Sequence, residues 1–398
     1  MPRHEKPHEP SPNIIQNRLK AVRQAKGLSQ GELAVRADIT RQAVSAIEAN
    51  RYLPTTAVAL HLARVLGASV EDLFHFTEQS EVIEARLVDV PDNVSAGEQA
   101  IRVKIANVNR RYSARPVAGL GDVLNYTVGA DGFLERVSAN EGELLEGRSV
   151  RVRLLRDRHV IDQEIAVAGC DPAIFLAGEH LRRQKDQTSV VGWTMGSTAA
   201  LRALQRGEVH VAGLHLLDPT TGESNLPFLR RVLKGSNYEV VTFATWEEGF
   251  LVRPGNPKSI HAAADLVDPL VTLVNREEGA GARLLLDQRL RAAGIDSTHI
   301  RGYETMASSH FEVARSIASH QSDVGIGIRS AAQFFGLDFV PLQAARYDLV
   351  VPKAYLKSHP TLSNLFDTLT SRPFRNEIEA LGGYDTSETG KLHALRVS

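Results

Sequence analysis

The stretch from Ser29 to Glu48, SQGELAVRADITRQAVSAIE, constrains the fold of this chain more than any other. Its apolar residues recur at three- and four-residue spacing, which is typical of two short helices that pack together across a tight turn. Ser29 stands three residues before Glu32 and predicts a capping box, and Thr40 predicts the cap of the second helix. The stretch therefore predicts a helical hairpin.

The polar face of this hairpin has two interpretations. The first turn of the second helix exposes Arg41 and Gln42, with Ser45 one turn further on. Arginine can form two hydrogen bonds to guanine and glutamine two to adenine, so these residues are candidate readers of bases in a major groove. The alternative is an ordinary helical hairpin whose polar face is solvated, and the hairpin alone does not separate the two.

The flanking sequence favours DNA binding. An amphipathic helix from Ile15 to Val22 precedes the hairpin and ends at Gly27, and two more helices are predicted from Thr55 to Phe74. The pattern RxxKGLSQxELA begins at Arg23, and SxIExNRxxP begins at Ser45. Five helices carrying these patterns resemble the Cro and phage-repressor type of helix-turn-helix, the XRE family.

The resemblance implies a DNA-binding domain over residues 13–76. It implies phosphate contacts from Gln30 and Arg51 and base contacts from the second hairpin helix. The residues assigned to DNA binding are Gln30, Thr40, Arg41, Gln42, Ser45, Asn50 and Arg51. The segment 12–76 carries eight Lys/Arg against five Asp/Glu. This excess is modest, so we expect a homodimer on a palindromic double-stranded operator.

Composition sets the broader limits. A length of 398 residues suggests two or three domains, and 43% hydrophobic with 23% charged residues is typical of a globular protein. The only cysteine, Cys170, excludes an intrachain disulfide, and we expect no cysteine-based zinc site and no other metal site. Residues 1–12 are polar and proline-rich, which predicts a disordered leader rather than a secretory signal. No apolar run approaches the length of a membrane span, so a cytoplasmic location without membrane contact is expected.

Beyond residue 76 the periodicity changes twice. Residues 82–162 lean towards alternating, β-branched segments separated by turn residues, which predicts a small β-rich connector. From residue 164 to about 390, strands alternate with helices, which indicates an α/β domain with mostly parallel sheets. Its length suits two lobes around a cleft.

Three strand-to-helix junctions of the α/β region share one chemistry. Small, glycine-rich or hydroxyl-bearing residues open helices near residues 196, 279 and 309. Helix N-termini present unpaired N–H groups and favour anions, and Arg276 and Arg283 strengthen that interpretation. The alternative is that both arginines pair with neighbouring carboxylates such as Glu277 or Asp287.

Several longer motifs carry a second resemblance. These are GxHLLDPxTGExNLPF at 213–228, RPGNPK at 253–258, RLLLD at 283–287, GIDxxxIRGYE at 294–304 and RYDLVVP at 346–352. They resemble a domain related to type II periplasmic binding proteins, including the molybdate-binding proteins of importers. The resemblance implies a multidomain chain with an all-α five-helix helix-turn-helix domain, a small β-rich connector and an α/β two-lobed periplasmic-binding-protein-like domain over residues 164–390.

The resemblance also implies a small anionic effector, with molybdate or tungstate first and a molybdopterin-type or organic anion second. In the family the glycine-rich turn usually reads GSGTR, whereas Ala280 and Ala282 here replace both hydroxyls. Backbone N–H groups and the arginines must therefore do more of the binding. The predicted ligand-binding residues are Gly196, Ser197, Thr198, His215, Asn225, Asn275, Arg276, Gly279, Gly281, Arg283, Ser308, Ser309, His310 and Tyr347.

Together these features predict a one-component transcription regulator without catalytic residues or a cofactor. Two other classes remain open: an enzyme of molybdenum-cofactor metabolism with a helix-turn-helix as its regulator, and a ligand-free dimerisation scaffold. A catalytic or metal-binding pair of His215 with Asp218 is less favoured. The sequence holds no nucleophile in a recognisable elbow and no second histidine at ligand spacing.

Overall fold

The computed structural model describes residues 15–76, 81–90, 100–117, 128–135, 147–184, 189–218, 220–233 and 237–395. The chain divides into two compact units, 1–80 and 81–398, and each is described by itself. The predicted leader, residues 1–12, lies outside the described ranges. No helix within those ranges has the length and apolar character needed to cross a membrane.

The first unit contains the five predicted helices, which confirms its all-α class. Ser29 and Glu32 form a reciprocal capping box, and the Thr40 side chain accepts a hydrogen bond from the backbone N–H of Ala43. The apolar faces meet in one core that includes Leu33, Ile47 and other buried aliphatic residues. The helices are α1 (Leu19–Ala25), α2 (Gln30–Arg36), α3 (Arg41–Glu48), α4 (Thr56–Leu66) and α5 (Val70–Leu73).

Two short strands flank the helices in the described part of this unit, where the sequence predicted helix. Strand β1 (Ile15–Asn17) pairs antiparallel with β2 (Phe74–Phe76). The prediction that Ile15 opens the first helix and that Phe74 closes the fifth is therefore wrong. The helix begins at Leu19, four residues after Ile15, and the Asn17 side chain accepts a hydrogen bond from the Leu19 N–H.

The second unit begins with a closed five-stranded barrel, in the region predicted to be a β-rich connector. Inward-facing residues alternate along its strands, as in Val82–Leu87, where every second residue is buried. Lys104 and Asp131 form a buried ion pair at 2.7 Å between two of the strand regions. The strands, β3 (Val82–Leu87), β4 (Arg102–Val108), β5 (Arg111–Pro116), β6 (Gly132–Leu134) and β7 (Ser149–Leu154), follow the order β3-β5-β4-β6-β7, and α6 (Arg158–Asp162) comes next.

An eight-stranded mixed sheet forms the centre of the α/β region. The expectation of mostly parallel strands is wrong, because only β8 with β9 and β8 with β10 are parallel pairs within this sheet. The elements are β8 (Ile165–Gly169), α7 (Ile174–Gln184), β9 (Val190–Thr194), α8 (Ser197–Gln205), β10 (Val211–Leu214), α9 (Leu226–Val232), β11 (Tyr238–Val252), β12 (Asn275–Arg276), α10 (Gly281–Ala292), β13 (Met306–Ala307), α11 (His310–Ala318), β14 (Val324–Ile328), α12 (Arg329–Phe334), β15 (Asp338–Pro352), α13 (Lys353–Ser358), α14 (Thr361–Thr370), α15 (Arg372–Ala380), β16 (Tyr384–Asp385) and β17 (Leu392–His393).

Two 15-residue strands, β11 and β15, account for the antiparallel character. The sequence predicted 240–243 and 249–252 as separate strands, with Glu247 and Glu248 between them. In the structure the strand continues through both glutamates. Glu247 pairs with Arg329, and Glu248 lies 3.0 Å from a ring nitrogen of His215. Both negative charges are paired with residues that are distant in the sequence, so the local sequence does not reveal them.

The long strands pass through two lobes, as expected. At one end of β11, Val240 belongs to a core with residues of β8, β10 and α8, which is the first lobe. At the other end, Val252 belongs to a core built on residues 253–328, which is the second lobe. The register of the β11–β15 pair shifts between Thr242 and Ala244 and again between Glu248 and Gly249. The segment between the lobes is therefore irregular on both sides.

One histidine of the first lobe is held neutral by the fold. His210 is buried, and its Nδ1 atom accepts the backbone N–H of Ala166 at 3.0 Å. A protonated ring could not accept this hydrogen bond. Burial first, and then the neighbouring His359 ring, lower the pKa of His210 to about 3.

This pKa predicts acid sensitivity. The unfolded chain takes up a proton on His210 near pH 6.5, and the folded chain does so only near pH 3, so stability is lost as the pH falls from 6.5 towards 3. One such group changes the free energy of unfolding by at most about 1.4 kcal/mol per pH unit. Denaturant unfolding at pH 7, 6 and 5 measures it. We expect His210→Gln to flatten the dependence of the free energy of unfolding on pH, and the exposed-site control His299→Gln to keep it. An unchanged pH dependence in His210→Gln would refute the role given to His210.

Candidate functional site

The predicted DNA-reading residues lie at the surface of the α2–α3 hairpin. Thr40 caps α3, and Arg41, Gln42 and Ser45 are exposed along that helix. Asn50 adopts a left-handed backbone conformation with a φ of 55° directly after α3, and the next residue, Arg51, is exposed. The end of α3 thus turns sharply and leaves these side chains accessible to a partner.

Gln30, assigned to a phosphate contact, is partly engaged within the protein. Its amide donates to Glu48 at 2.8 Å, and Arg23 donates to both oxygens of the same carboxylate at 2.6 and 3.0 Å. Burial would raise the pKa of Glu48, but the hydrogen bonds from Arg23 and Gln30 lower it. The network ties α1, α2 and α3 together, so Gln30 helps to hold the hairpin in addition to its predicted phosphate contact.

In the second unit, the structure brings together several residues that follow strands. His215 comes directly after β10, and His310 opens α11; the centres of their rings are 5.6 Å apart. Trp246 of β11 lies 5.1 Å from the His215 ring and 4.7 Å from that of Tyr347 of β15. The first lobe, the second lobe and both long strands therefore each contribute a side chain. We call these four residues, with Cys170 and Glu248 beside His215 and Arg276 beside His310, the cleft cluster.

Buried polar atoms without a hydrogen-bond partner concentrate in this cluster. Buried donors and acceptors are almost always paired in proteins, so such a concentration marks a place built to contact another group. All the side chains concerned are at most 3% exposed. The atoms are Nη1 of Arg276, both ring nitrogens of His215 and of His310, Nε1 of Trp246 and the hydroxyl of Tyr347.

The two histidines carry different charges. Nδ1 of His215 is 3.0 Å from Oε1 of Glu248, an ion-pair distance, although the direction is unfavourable for a hydrogen bond. Burial lowers the pKa of His215, but the Cys170 sulfur and Glu248 outweigh burial and raise it to about 10. Burial, Arg276 and His215 lower the pKa of His310 well below its ordinary value. The cluster therefore pairs a protonated imidazole with a neutral one.

Glycines let the cluster and the two lobes approach closely. A Cβ on Gly169 or Gly213 would lie 2.0 or 1.9 Å from the Tyr347 hydroxyl, so only glycine leaves room for that ring. A Cβ on Gly281, at the start of α10, would lie 2.4 Å from the carbonyl oxygen of His215. The second-lobe helix therefore begins against the backbone of the first lobe.

The glycine-rich turn also bonds across the lobes. The Thr198 hydroxyl, at the start of α8, donates to the carbonyl of Gly279 at 2.9 Å. A Cβ on Gly196 would lie 2.8 Å from a carboxylate oxygen of Glu277. The hydroxyl of Ser197 accepts from the N–H of His215 at 3.1 Å. The predicted residues at the strand-to-helix junctions near 196 and 279 thus join the two lobes beside the cleft cluster.

The arginines follow the alternative in which each pairs with a neighbouring carboxylate. Arg276 donates to both oxygens of Glu277 at 2.8 Å, and Nε of Arg283 lies 3.3 Å from Asp287. Arg283 also stacks on the Tyr303 ring at 4.0 Å and donates to the carbonyl of Arg276. Of these two arginines, Arg276 has a fully buried donor without a partner, and Arg283 supports the turn that carries Arg276.

Other predicted ligand residues are occupied within the protein. The Asn225 side chain is fully buried and bonds to Leu216, Leu214, Arg346 and Asp348, which uses its amide completely and does not support a ligand contact. The Asn275 amide bonds to the carbonyl of Tyr303 and the N–H of Arg276. Ser308 donates to Glu312, and Ser309 caps α11.

Sequence reasoning missed three members of the cleft cluster: Trp246, Glu248 and Cys170. The first two lie where a break between strands was predicted, and Cys170 was interpreted only as a small buried residue. The expectation of no cysteine-based metal site relied on the presence of a single cysteine in the chain. In the structure a sulfur and two imidazoles meet, because the donor atoms of Cys170, His215 and His310 lie within 4.8 Å of one another.

Comparisons with known proteins agree with this architecture. A helix-turn-helix family matches residues 19–73, and a PBP superfamily domain matches residues 178–370. The uncharacterised protein YvgK of Bacillus subtilis is 32% identical over 228 residues, which are 57% of this chain and 73% of YvgK. An uncharacterised HTH-type transcriptional regulator of Methanothermobacter thermautotrophicus is 44% identical over 61 residues, 15% of this chain and 88% of its own.

Among solved structures, a tungstate ABC transporter protein from Geobacter sulfurreducens matches with a TM-score of 0.41 and 14% identity. The match covers 55% of this chain and 98% of that chain.

Proposed function

Because the chain belongs to the helix-turn-helix transcriptional regulators that carry a PBP superfamily domain, we propose that it regulates transcription in response to a small anion bound at the cleft cluster. The observation that carries this proposal is the convergence of unpartnered buried donors. Arg276, Trp246 and Tyr347 each direct an N–H or O–H group into the protein without an acceptor. A ligand that only accepts hydrogen bonds complements such a set.

Charge supports the same conclusion. Among the carboxylates near the cluster, Glu248 and Glu277 are paired with His215 and Arg276. The buried Asp171 accepts hydrogen bonds from the Ala173 N–H and the Tyr384 hydroxyl. The His215 ring is protonated at neutral pH. An anion would therefore meet cationic or neutral donors at the cluster.

Molybdate or tungstate is the first choice of ligand, because an oxyanion accepts hydrogen bonds on every side and suits donors that come from both lobes. A molybdopterin-type or other organic anion is the second choice. Both alanines of the glycine-rich turn are buried, and their positions supply backbone rather than hydroxyl groups. The side chains of Arg276, Trp246 and Tyr347 compensate for those missing hydroxyls.

Regulation requires the ligand to bind one state of the protein better than another. Both lobes contribute to the cluster, so a bound anion favours the closed arrangement of the lobes. We propose that this preference is transmitted to a DNA-bound homodimer in the cytoplasm.

Enzymatic activity is the second candidate function. His215 lies next to both Cys170 and Glu248, so the three could act as base, nucleophile and supporting carboxylate, respectively. Turnover of a molybdenum-cofactor intermediate that is lost in Cys170→Ala would favour this alternative. Anion-dependent DNA binding that persists in Cys170→Ala would favour the regulator.

The anion proposal predicts ligand-induced stabilisation. At a hundred times its dissociation constant, a ligand of the folded state adds about 2.7 kcal/mol to the free energy of unfolding. Thermal unfolding of the metal-free protein with molybdate, tungstate, sulfate and phosphate measures this. We expect Trp246→Phe, which removes one donor, to reduce the shift, and Trp193→Phe, a matched buried indole of the first-lobe core, to retain it. No shift with any of the four anions would contradict an oxyanion effector.

The DNA-binding residues predict two different losses. Arg41→Ala should cost about 1–3 kcal/mol of discrimination at one base pair, because a base-reading fork is lost. Arg51→Ala should weaken binding to all DNA sequences alike, because a phosphate contact is lost. It should also reduce the slope of log affinity against log salt concentration by about one. Fluorescence anisotropy on operator and scrambled DNA over a salt series separates the two. The exposed Arg64→Ala on α4 serves as the control, and a uniform loss in Arg41→Ala would contradict base reading.

A further inference from the structure

Three side chains of the cleft cluster have the chemistry of a metal site. Cys170 follows β8, His215 follows β10, and His310 opens α11, so the two lobes supply the donors jointly. The three residues are at most 3% exposed, and their sulfur and ring nitrogens lie within 4.8 Å of one another. No other group of three or more such donors is found in the part of the chain that the structure describes.

We propose that Cys170, His215 and His310 bind a borderline transition-metal cation of the Zn²⁺ class. Thiolate and imidazole are the donors that such cations prefer, and three protein ligands leave one position of a tetrahedral site open. Donors around a tetrahedral Zn²⁺ are roughly 3.5 Å apart. Side-chain adjustments of about 1 Å would therefore bring the three donors onto one ion.

A neighbouring carboxylate supports the histidine assignment. Oε1 of Glu248 lies 3.0 Å from Nδ1 of His215. A metal that displaces the proton from Nε2 would therefore bind that nitrogen and leave Nδ1–H facing the carboxylate. Metal-bound histidines typically present their second nitrogen to a carboxylate in this way, which fixes the tautomer and the ring orientation. Glu248 is itself buried, so its negative charge also offsets the charge of a bound cation.

Simple core packing explains the cluster less well. Both ring nitrogens of His310 lack a hydrogen-bond partner, and this side chain is fully buried. An unpaired buried polar atom destabilises the folded protein, whereas a bond to a metal satisfies it. Arg276 and His215 are the positive groups that act on His310. Arg276 is paired with Glu277 at 2.8 Å, and His215 loses its extra proton when it binds a metal. The local charge therefore does not exclude a cation.

This proposal concerns the same cluster as the anion proposal but does not rest on it. The open position of the metal accepts water or an anion, so a metal and an oxyanion are compatible. Each can also be present without the other, and the experiment below separates them.

The test uses Co²⁺ as a spectroscopic probe of the reduced, full-length protein in buffer without oxyanions. Cys170 is the only cysteine of the chain, so a thiolate-to-cobalt charge-transfer band reports this site alone. We expect the band to saturate at one Co²⁺ per chain and to disappear when Zn²⁺ is added. Cys170→Ser should abolish the band, and His310→Gln should weaken Co²⁺ binding by more than about tenfold. The exposed-histidine control His299→Gln should leave the band and the affinity unchanged.

Circular dichroism of each variant establishes that it is folded. Absence of a charge-transfer band in the wild-type protein, or a band that survives Cys170→Ser, would overturn the metal proposal. A molybdate-induced thermal shift in the presence of a chelator, without a cobalt band, would leave the anion proposal standing alone. A cobalt band without any anion-induced shift would leave the metal proposal standing alone.

Discussion

The antiparallel pairing of β11 with β15 is the interaction on which the second unit depends. The pairing runs from Tyr238 opposite Pro352 to Val252 opposite Asp338, and its two ends enter separate apolar cores. Between the cores it carries Trp246 on one strand and Tyr347 on the other. The backbone hydrogen bonds that join the lobes therefore also set the spacing of two aromatic members of the cleft cluster.

The cleft cluster is costly for a protein to maintain. It places a protonated histidine, a neutral histidine, an arginine and two aromatic donors where water is excluded, and several of their polar atoms lack partners. Glycines at 169, 213 and 281 allow backbone and side chains to approach within distances that any Cβ would prevent. Such an arrangement reduces stability unless another group contacts it, and this is the physical basis for placing an effector there.

Local patterns predicted the first unit well, because its structure is specified locally. Ser29 and Glu32 are three residues apart, and their reciprocal cap follows from that spacing. The anion-favouring junctions near Gly196, Gly279 and Ser309 were also visible, since a strand followed by small residues and a helix is a local signal. The resemblance to binding proteins added the two-lobed architecture, which the alternating strands and helices did not specify by themselves.

The errors arose where residues distant in sequence determine the outcome. Residues 240–243 and 249–252 were predicted as two strands, yet one strand runs through Glu247 and Glu248, which pair with Arg329 and His215. Asn225 looked like a ligand residue, but its amide is consumed by backbone groups and Asp348. Cys170 gained its chemical significance only when the fold placed it beside two histidines that lie 45 and 140 positions further along the chain.

The continuous strands also have a mechanical consequence. Two strands joined by hydrogen bonds form a ribbon that twists and bends more readily than it stretches. In the β11–β15 ribbon, twisting is easiest at the two register shifts. The lobes are thus connected by a continuous hydrogen-bonded pair of strands rather than by a flexible linker. A relative movement of the lobes would therefore have to twist or bend this ribbon, whichever ligand the cleft holds.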